Sequence, residues 1–393
     1  MELRQLIPLF DTSVSRWATL ARLLRWLTLL WVFIGLVILF SASYPVGEAE
    51  FGDGWYYFKR QIISIIIGLV VFNWVIHSPL RRILGMAHWF VFLFLALIFV
   101  TLIPGVGTNT NGAARWIALG SFQLQPSELI KPFLVLQSAR LFGQWHKLKW
   151  QSRLIWLSIF ALVLGGILAQ PNLSTTALCG MALWLIALAG GLPYTYLTMT
   201  AIGGVLLAFG SISRHDYQKR RVLSFLNPWE DALNNGYQLV QSLLAIGSGG
   251  SWGMGYGLSQ QKLFYLPIQY TDFIFAVFAE EFGFVGCTLF LLLLVVYGAI
   301  ALFVAFKTTN PVHRLVAIGA MIFLVGQSLL NIGVAAGALP TTGLPLPLVS
   351  YGGNSIIASL LIAGLLIRVA RESSEGQVVS LPQRSSVKGR SRF

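Results

Sequence analysis

The stretch LPIQYTDFIFAVFAEEFG, residues 266–283, sets three carboxylates where the chain turns from a polar loop into an apolar run. Asp272 stands at the mouth of that run, and Glu280 and Glu281 lie inside it. The run continues as FVGCTLFLLLLVVYGAIALFVAF to residue 306, so the acids enter lipid. An ionisable side chain there is costly and marks a functional-site candidate. At about 100° per helical residue, Glu280 falls roughly 80° around from Asp272, and Glu281 falls on the opposite side. The two glutamates cannot serve one small site, and at least one is expected to pair with a cation on a neighbouring helix.

Composition fits that reading. Of the 393 residues, 56% are hydrophobic and only 10% charged, with mean hydropathy +0.74. This is too apolar for a soluble domain and points to an all-α polytopic membrane protein. Two cysteines, both in apolar segments, exclude a disulfide framework and read as small buried hydrophobes. Five scattered histidines with no HExxH or Cys/His cluster argue against a structural zinc site. The net charge of +13 would suit nucleic acid, but its placement does not. Lys and Arg crowd the N-terminal tail, Arg81–Arg82, the loop with Lys147, Lys149 and Arg153, and the C-terminal tail. That is the positive-inside pattern, with anionic membrane lipid as the partner of the tails.

Runs of about 20 apolar residues can be drawn at 23–43, 61–78, 83–103, 126–144, 154–170, 174–191, 193–211, 272–306, 314–338 and 352–370. They predict ten transmembrane helices with both termini cytoplasmic. The expected organisation is a cytoplasmic N-terminal tail over 1–22, a membrane domain over 23–370, and a disordered cytoplasmic tail over 371–393. The first span has basic residues before its apolar core, as a signal peptide does, but its length favours an uncleaved helix. The run 272–306 is too long for one simple crossing and is expected to begin as a tilted half-helix around DFIFAVFAEEFG. One long loop, 212–271, lies outside, and a loop of that length is usually functional.

Polar groups cluster at the predicted outer ends. Asp272 has two readings. One is a first-turn acid favouring the helix dipole, with Thr271 as N-cap; the other is a general base beside a water-filled cleft. QPSELIKP sets Glu128 and Lys131 three residues apart, where an ion pair along the helix is the simpler explanation. Arg115 lies just upstream in NGAARWIALG, and an Arg with a Lys could hold a diphosphate. The tract KRR at 219–221 reads as a basic surface or a contact for an anionic headgroup. LPTTGLPLPLVSYGGNS forces irregular backbone near the membrane, which is tolerated where it is buried in protein or lines a cavity.

Together these strings resemble the SEDS family (shape, elongation, division, sporulation) of FtsW and RodA. The resemblance rests on NGAARWI…FQLQPSELIKP, QPNLSTT, FLNPWED…GYQLVQSLLAIGSGG…GMGYGLSQQKLFYLP, TDFIFAVFAEEFGFVG and NIGV…LPTTGLPLPLVSYGGNS, and omits only the tails. It implies a ten-helix inverting glycosyltransferase that polymerises lipid II into glycan strands at the outer face of the bacterial cytoplasmic membrane. It also implies a class B penicillin-binding protein and other divisome proteins as partners. NPWED, GYQLVQSLLAIGSGG and QKLFYLP are closer to the division type, at the septum, whereas TTGLPLPLVSYGG leans to the elongation type. The family's essential acid falls on Asp272, and its basic motif residues fall on Arg115 and Lys131. Further substrate-binding candidates on the matched motifs are Glu128, Lys262, Glu280, Ser350 and Gly352. No cofactor is certain; a divalent cation, Mg or Mn, could share the diphosphate charge, although no metal-ligand cluster dictates one. Three departures stand out: Ile268 and Tyr270 replace an acid and a histidine, Asn172 replaces an acid, and SYGGSS reads SYGGNS. A lipid II flippase and a non-catalytic divisome scaffold are the alternatives from other classes.

Overall fold

The computed structural model describes residue 14 and residues 17–110, 113–120, 122–214 and 216–378. The chain enters with α1 (Thr19–Phe51), α2 (Tyr56–His77) and α3 (Leu80–Thr101). A small antiparallel sheet follows, in the order β1 (Gly107–Thr110), β2 (Ala113–Leu119), β3 (Phe122–Leu124). From sequence this segment reads as loop, because strands this short barely show their two-residue alternation. Next come α4 (Pro126–Leu129), α5 (Lys131–Gly143), α6 (Trp150–Ala169), α7 (Leu173–Ala189) and α8 (Tyr194–Arg214). The last elements are α9 (Asp216–Leu226), α10 (Tyr237–Ser248), α11 (Ile274–Lys307), α12 (Pro311–Met321), α13 (Gln327–Ala335) and α14 (Gly353–Val378).

Among the described residues, eight helices are long and apolar enough to cross a membrane, counting α12 and α13 as one through the π-turn at Ile322–Gly326. The fourth predicted span is instead divided into α4 and the 13-residue α5. Pro132, which lacks an N–H, lies at this junction and cannot continue a helical ladder. The sixth predicted span is the 17-residue α7. Among the described residues, length and composition by themselves mark eight crossings, and the other two expected spans correspond to the divided α4–α5 and the shorter apolar α7.

The boundaries of the tails also shift. Helix α1 begins at Thr19, with Trp17 already buried, and α14 stays helical to Val378. Arg368 and Arg371 both donate to the Ile76 carbonyl, which anchors that last stretch. The rest of the expected C-terminal tail, 379–393, lies outside the described residues, as do 1–13 of the N-terminal one.

These contacts define the two ends of the bundle. At one end the start of α1, the α2–α3 junction and the end of α14 meet: Arg371 lies over the Trp17 ring, and Glu372 accepts from the Leu80 amide. At the other end the start of α2 meets the chain just before α11 and α14, through Tyr57, Tyr270 and Tyr351.

The expected half-helix is present. Gly283 adopts φ 63°, ψ −165° inside α11 and divides it into two helical pieces. Such a break leaves backbone groups without intrahelical partners, which is costly in an apolar interior. The Gly-rich segment after α10 supplies them. Met254 and Gly255 amides donate to the Glu280 and Glu281 carbonyls at 2.9 and 3.1 Å. In return, the Phe284 and Val285 amides donate to the Gly250 and Ser251 carbonyls. The backbones approach so closely that a Cβ on Gly253 would sit 2.1 Å from the Glu281 oxygen. The loop expected over 212–271 thus contains two helices. Its α10 turns apolar residues Leu239, Val240 and Ala245 inward, and Ser242 donates to the Ala335 carbonyl.

This seam predicts a contrast between two glycines. Gly253 and Gly257 share positive φ, at 81° and 80°, but a Cβ on Gly257 meets open space. Gly257→Ala should cost only the backbone strain, about 1–2 kcal/mol. Gly253→Ala should cost clearly more, seen as a larger fall in the thermal unfolding midpoint in detergent. Equal losses would contradict the close-packed seam.

Candidate active site

The site is assembled from two irregular segments, 268–273 and 340–352, laid side by side at the end of the bundle away from α14's C-terminus. Ser350 ties them together: its hydroxyl donates to the Thr271 carbonyl and accepts from the Leu346 amide at 2.8 Å. The Tyr351 amide donates to the Tyr270 carbonyl at 2.9 Å. From α13, the Asn331 side-chain amide bridges the carbonyls of Asp272 and Leu344 at 2.7 and 2.8 Å. From α2, Gln61 donates to the Ser350 carbonyl and accepts from the Gly352 amide. Buried polar backbone is thereby satisfied on both sides of Asp272. Ser350 acts here as a clamp on the segment that carries Asp272, and Gly352 ties its own segment to α2 through Gln61.

Asp272 itself is half-buried. Its carboxylate accepts from the Thr271 hydroxyl at 2.9 Å. Thr271 is not the N-cap expected from the sequence; that position falls on Phe273, with no side-chain cap. Burial holds the Asp272 carboxyl above the ordinary carboxylate range, and the Thr271 hydroxyl and the nearby Arg221 offset this in part. Arg221, on α9, donates to the Thr341 carbonyl at 3.2 Å. Gly343 leaves the space between them open: a Cβ there would lie 3.8 Å from Asp272 Oδ2 and 3.9 Å from the Arg221 guanidinium nitrogens.

The other acids and bases on the matched motifs are engaged within the protein. Lys131 donates to Glu128 at 2.7 Å and to Gln327 at 3.2 Å, all three side chains being buried. Gln327 in turn donates to the Pro345 carbonyl, so the pair reaches the 340–352 segment through one intermediary. Glu280 accepts from the Ser259 hydroxyl and from the Gln260 and Gln261 amides, folding the loop before the site. Glu281 pairs with Lys262 at 2.8 Å, and Ser41 of α1 donates to the same oxygen at 2.6 Å. The cation expected for Glu281 thus comes from the loop and not from a neighbouring helix. Arg115, on β2, donates to the Gln170 and Pro171 carbonyls at the α6–α7 corner. The structure places it in a different set of contacts from Asp272.

The departures from the motif pattern acquire local roles. Tyr270 donates to the Tyr57 hydroxyl at 3.2 Å, and Tyr57 donates to Glu50 at 2.6 Å. The Tyr57 and Tyr270 rings lie 4.5 Å apart, so the side chain in the histidine's place braces the site against α2. Ile268 sits at φ 51°, a conformation unfavourable for a β-branched residue. Asn172 caps α7 by accepting from the Thr175 amide. Asn331, Gln327, Gln61 and Tyr57 were absent from the sequence reading. Amides and a tyrosine in apolar helices stand out only once a loop is seen against them.

Residues 21–375 match the family described as cell cycle protein, that of FtsW, RodA and SpoVE. The chain belongs to the FtsW/RodA/SpoVE family. A member of the family from Synechocystis sp., a probable peptidoglycan glycosyltransferase FtsW, is 58% identical over 379 residues, covering 96% of each chain. Among solved structures, a family fold is shared with a peptidoglycan synthase complex described by its coordination of polymerization and crosslinking. That likeness has TM-score 0.72 and 30% identity, over 89% of this chain and 97% of the other. The rod shape determining protein RodA of Thermus thermophilus follows at TM-score 0.65 and 29% identity, over 89% of this chain and 96% of its own.

The Lys262–Glu281 pair can be told apart from a substrate contact. Removing one partner strands a buried charge, so Lys262→Met should lower stability by about 3–5 kcal/mol. Replacing both, in Lys262→Met/Glu281→Leu, should recover most of that loss. A stable Lys262→Met protein that binds lipid II poorly would instead assign Lys262 to the substrate.

Proposed function

We propose that this chain is a peptidoglycan glycosyltransferase of the division type that polymerises lipid II, with Asp272 as general base. The observation that carries the assignment is the placement of Asp272. Glu128, Glu280 and Glu281 are fully buried in internal contacts, whereas Asp272 is only half-buried, with its flanking backbone clamped on both sides. In the reaction the acceptor sugar's 4-hydroxyl attacks the donor's anomeric carbon. The bond from that carbon to the diphosphate oxygen breaks, and undecaprenyl diphosphate leaves with inversion. Asp272 takes the hydroxyl proton, and its raised proton affinity suits that role. Arg221 stands beside it with the charge to meet the leaving diphosphate. Lys131 supports the site from behind through Gln327, whereas Arg115 holds the α6–α7 corner.

Among the described residues no three His, Cys, Asp or Glu side chains gather as a metal site. A divalent cation, Mg or Mn, would take most of its oxygens from the substrate diphosphate, and no step above runs through it. The similarity to a peptidoglycan synthase complex supports a class B penicillin-binding protein as partner. The basic residues at the α2–α3 junction and beside α14's end support cytoplasmic termini. Asp272 then faces the outer leaflet, and the FtsW likeness supports the division septum.

Purified protein with its transpeptidase partner and lipid II should give a glycan ladder on a gel. Asp272→Asn should fold with an unchanged melting midpoint and lose polymerisation by about 100-fold or more. A near wild-type ladder from the variant would overturn the base assignment. Scrambling of fluorescent lipid II in sealed liposomes without polymer would favour a flippase, and partner binding without product a scaffold.

A further inference from the structure

The basic end of the bundle holds a cavity that the reaction at the far end does not use. It has a volume of about 230 Å³ and lies where the end of α5, the residue after α7 and the first turn of α12 converge. Gly143, Trp145, Lys147, Gly190, Pro311 and Arg314 contribute to its walls. Two glycines bring the helix ends together: a Cβ on Gly143 would meet the Val312 backbone at 3.0 Å, and one on Gly190 the Phe142 side chain at 3.1 Å.

Its electrostatics are one-sided. Lys147 and Arg314 both line it, and no carboxylate does. Among the described residues, neither side chain makes a hydrogen bond or an ion pair. The carboxylate of Glu372, at the same end, is committed to Arg368 at 2.7 Å and to the Leu80 amide. Arg314 is half-buried and Lys147 is exposed, so the cavity is walled by one cation on the protein side and one at its mouth. Two cations facing one small cavity with no carboxylate in its lining suit an anion with several oxygens, and a phosphate meets both. The size limits the ligand, since pockets for drug-sized molecules start near 300 Å³. The α12 amides are not the attraction: Pro311 has none, and that of Val312 is taken by the Asn310 side chain at 2.9 Å.

The surroundings favour a lipid as the source. Trp150 is 67% exposed beside Lys149, and the Arg153 guanidinium lies 4.9 Å above the Trp145 ring. Tryptophans mixed with Lys and Arg at a helix start mark the headgroup layer of a bilayer. Basic pockets between helices on the cytoplasmic side are where anionic headgroups bind. We propose that the cavity between α5, α7 and α12 seats the phosphate of an anionic phospholipid headgroup, held by Arg314 and Lys147. An occupant there joins the end of α5, whose start carries Lys131, to α12, which leads into Gln327 and Asn331.

The test uses the purified full-length protein in detergent, with thermal unfolding as readout. Phosphatidylglycerol should raise the wild-type midpoint by several degrees, and phosphatidylcholine should not. Lys147→Gln and Arg314→Gln should each lose part of that shift, and the double variant most of it. Lys147→Arg/Arg314→Lys should keep it. A full shift in the Lys147→Gln/Arg314→Gln protein, or equal shifts with both lipids, would overturn the proposal. Stabilisation of the wild type, but not the double variant, by inorganic phosphate alone would assign the cavity to a soluble phosphate and overturn the lipid assignment.

Discussion

Helix α11 gives up its own hydrogen-bond ladder at Gly283, and the rest of the site depends on how that debt is met. The Gly-rich segment 249–255 offers backbone amides and carbonyls across the break, so neither piece of the helix leaves polar groups stranded. The two glutamates just before the break then fasten the following loop, Glu280 through Ser259 and two amides, Glu281 through Lys262 and Ser41. The loop reaches Asp272 with its path fixed at each end. The carboxylates inside the apolar run are thus mostly scaffolding, and their cost in the membrane is offset by bonds that shape the chain before Asp272.

Much of this fold was legible in the sequence. Apolar runs placed the helices, and the length of the run 272–306 foretold a half-helix, because one crossing cannot use that many residues. The shorter elements were not legible. Three strands of three to seven residues carry too little alternation to announce themselves. Helix α10 reads as part of a hydrophilic loop until its apolar residues are seen packed on α11. The site was legible where charge made it so, at Asp272. It was hidden where neutral amides do the positioning, at Asn331, Gln327 and Gln61, since such side chains carry no signal until the segment they bind is in place. Angular reasoning set Glu280 and Glu281 on different sides of the helix, but it could not reveal that both bond the same returning loop, at 259–261 and at Lys262.

The site combines a firm scaffold with one available group. Backbone clamps from α2, α13 and Ser350 restrict Asp272 to a narrow set of positions, which is what proton abstraction at a fixed hydroxyl requires. Burial raises the proton affinity of its carboxyl, while Thr271 and Arg221 limit that rise. The same arginine lies across Gly343 from Asp272, so one cation tempers the base and faces the place where negative charge gathers on the leaving group. Tyr270 is held beside the base by the Tyr57–Glu50 chain.

The most direct measurement is the pH dependence of glycan polymerisation by the wild type and by Arg221→Gln. A base with raised proton affinity is active when deprotonated, so activity should be full above its titration and fall as pH drops through it. That acid limb should lie above the ordinary carboxylate range. Removing the arginine's charge should move it to still higher pH, because the protonated form is then favoured further. An acid limb that stays in place in Arg221→Gln, or a rate with no acid limb at all, would contradict Asp272 as the base.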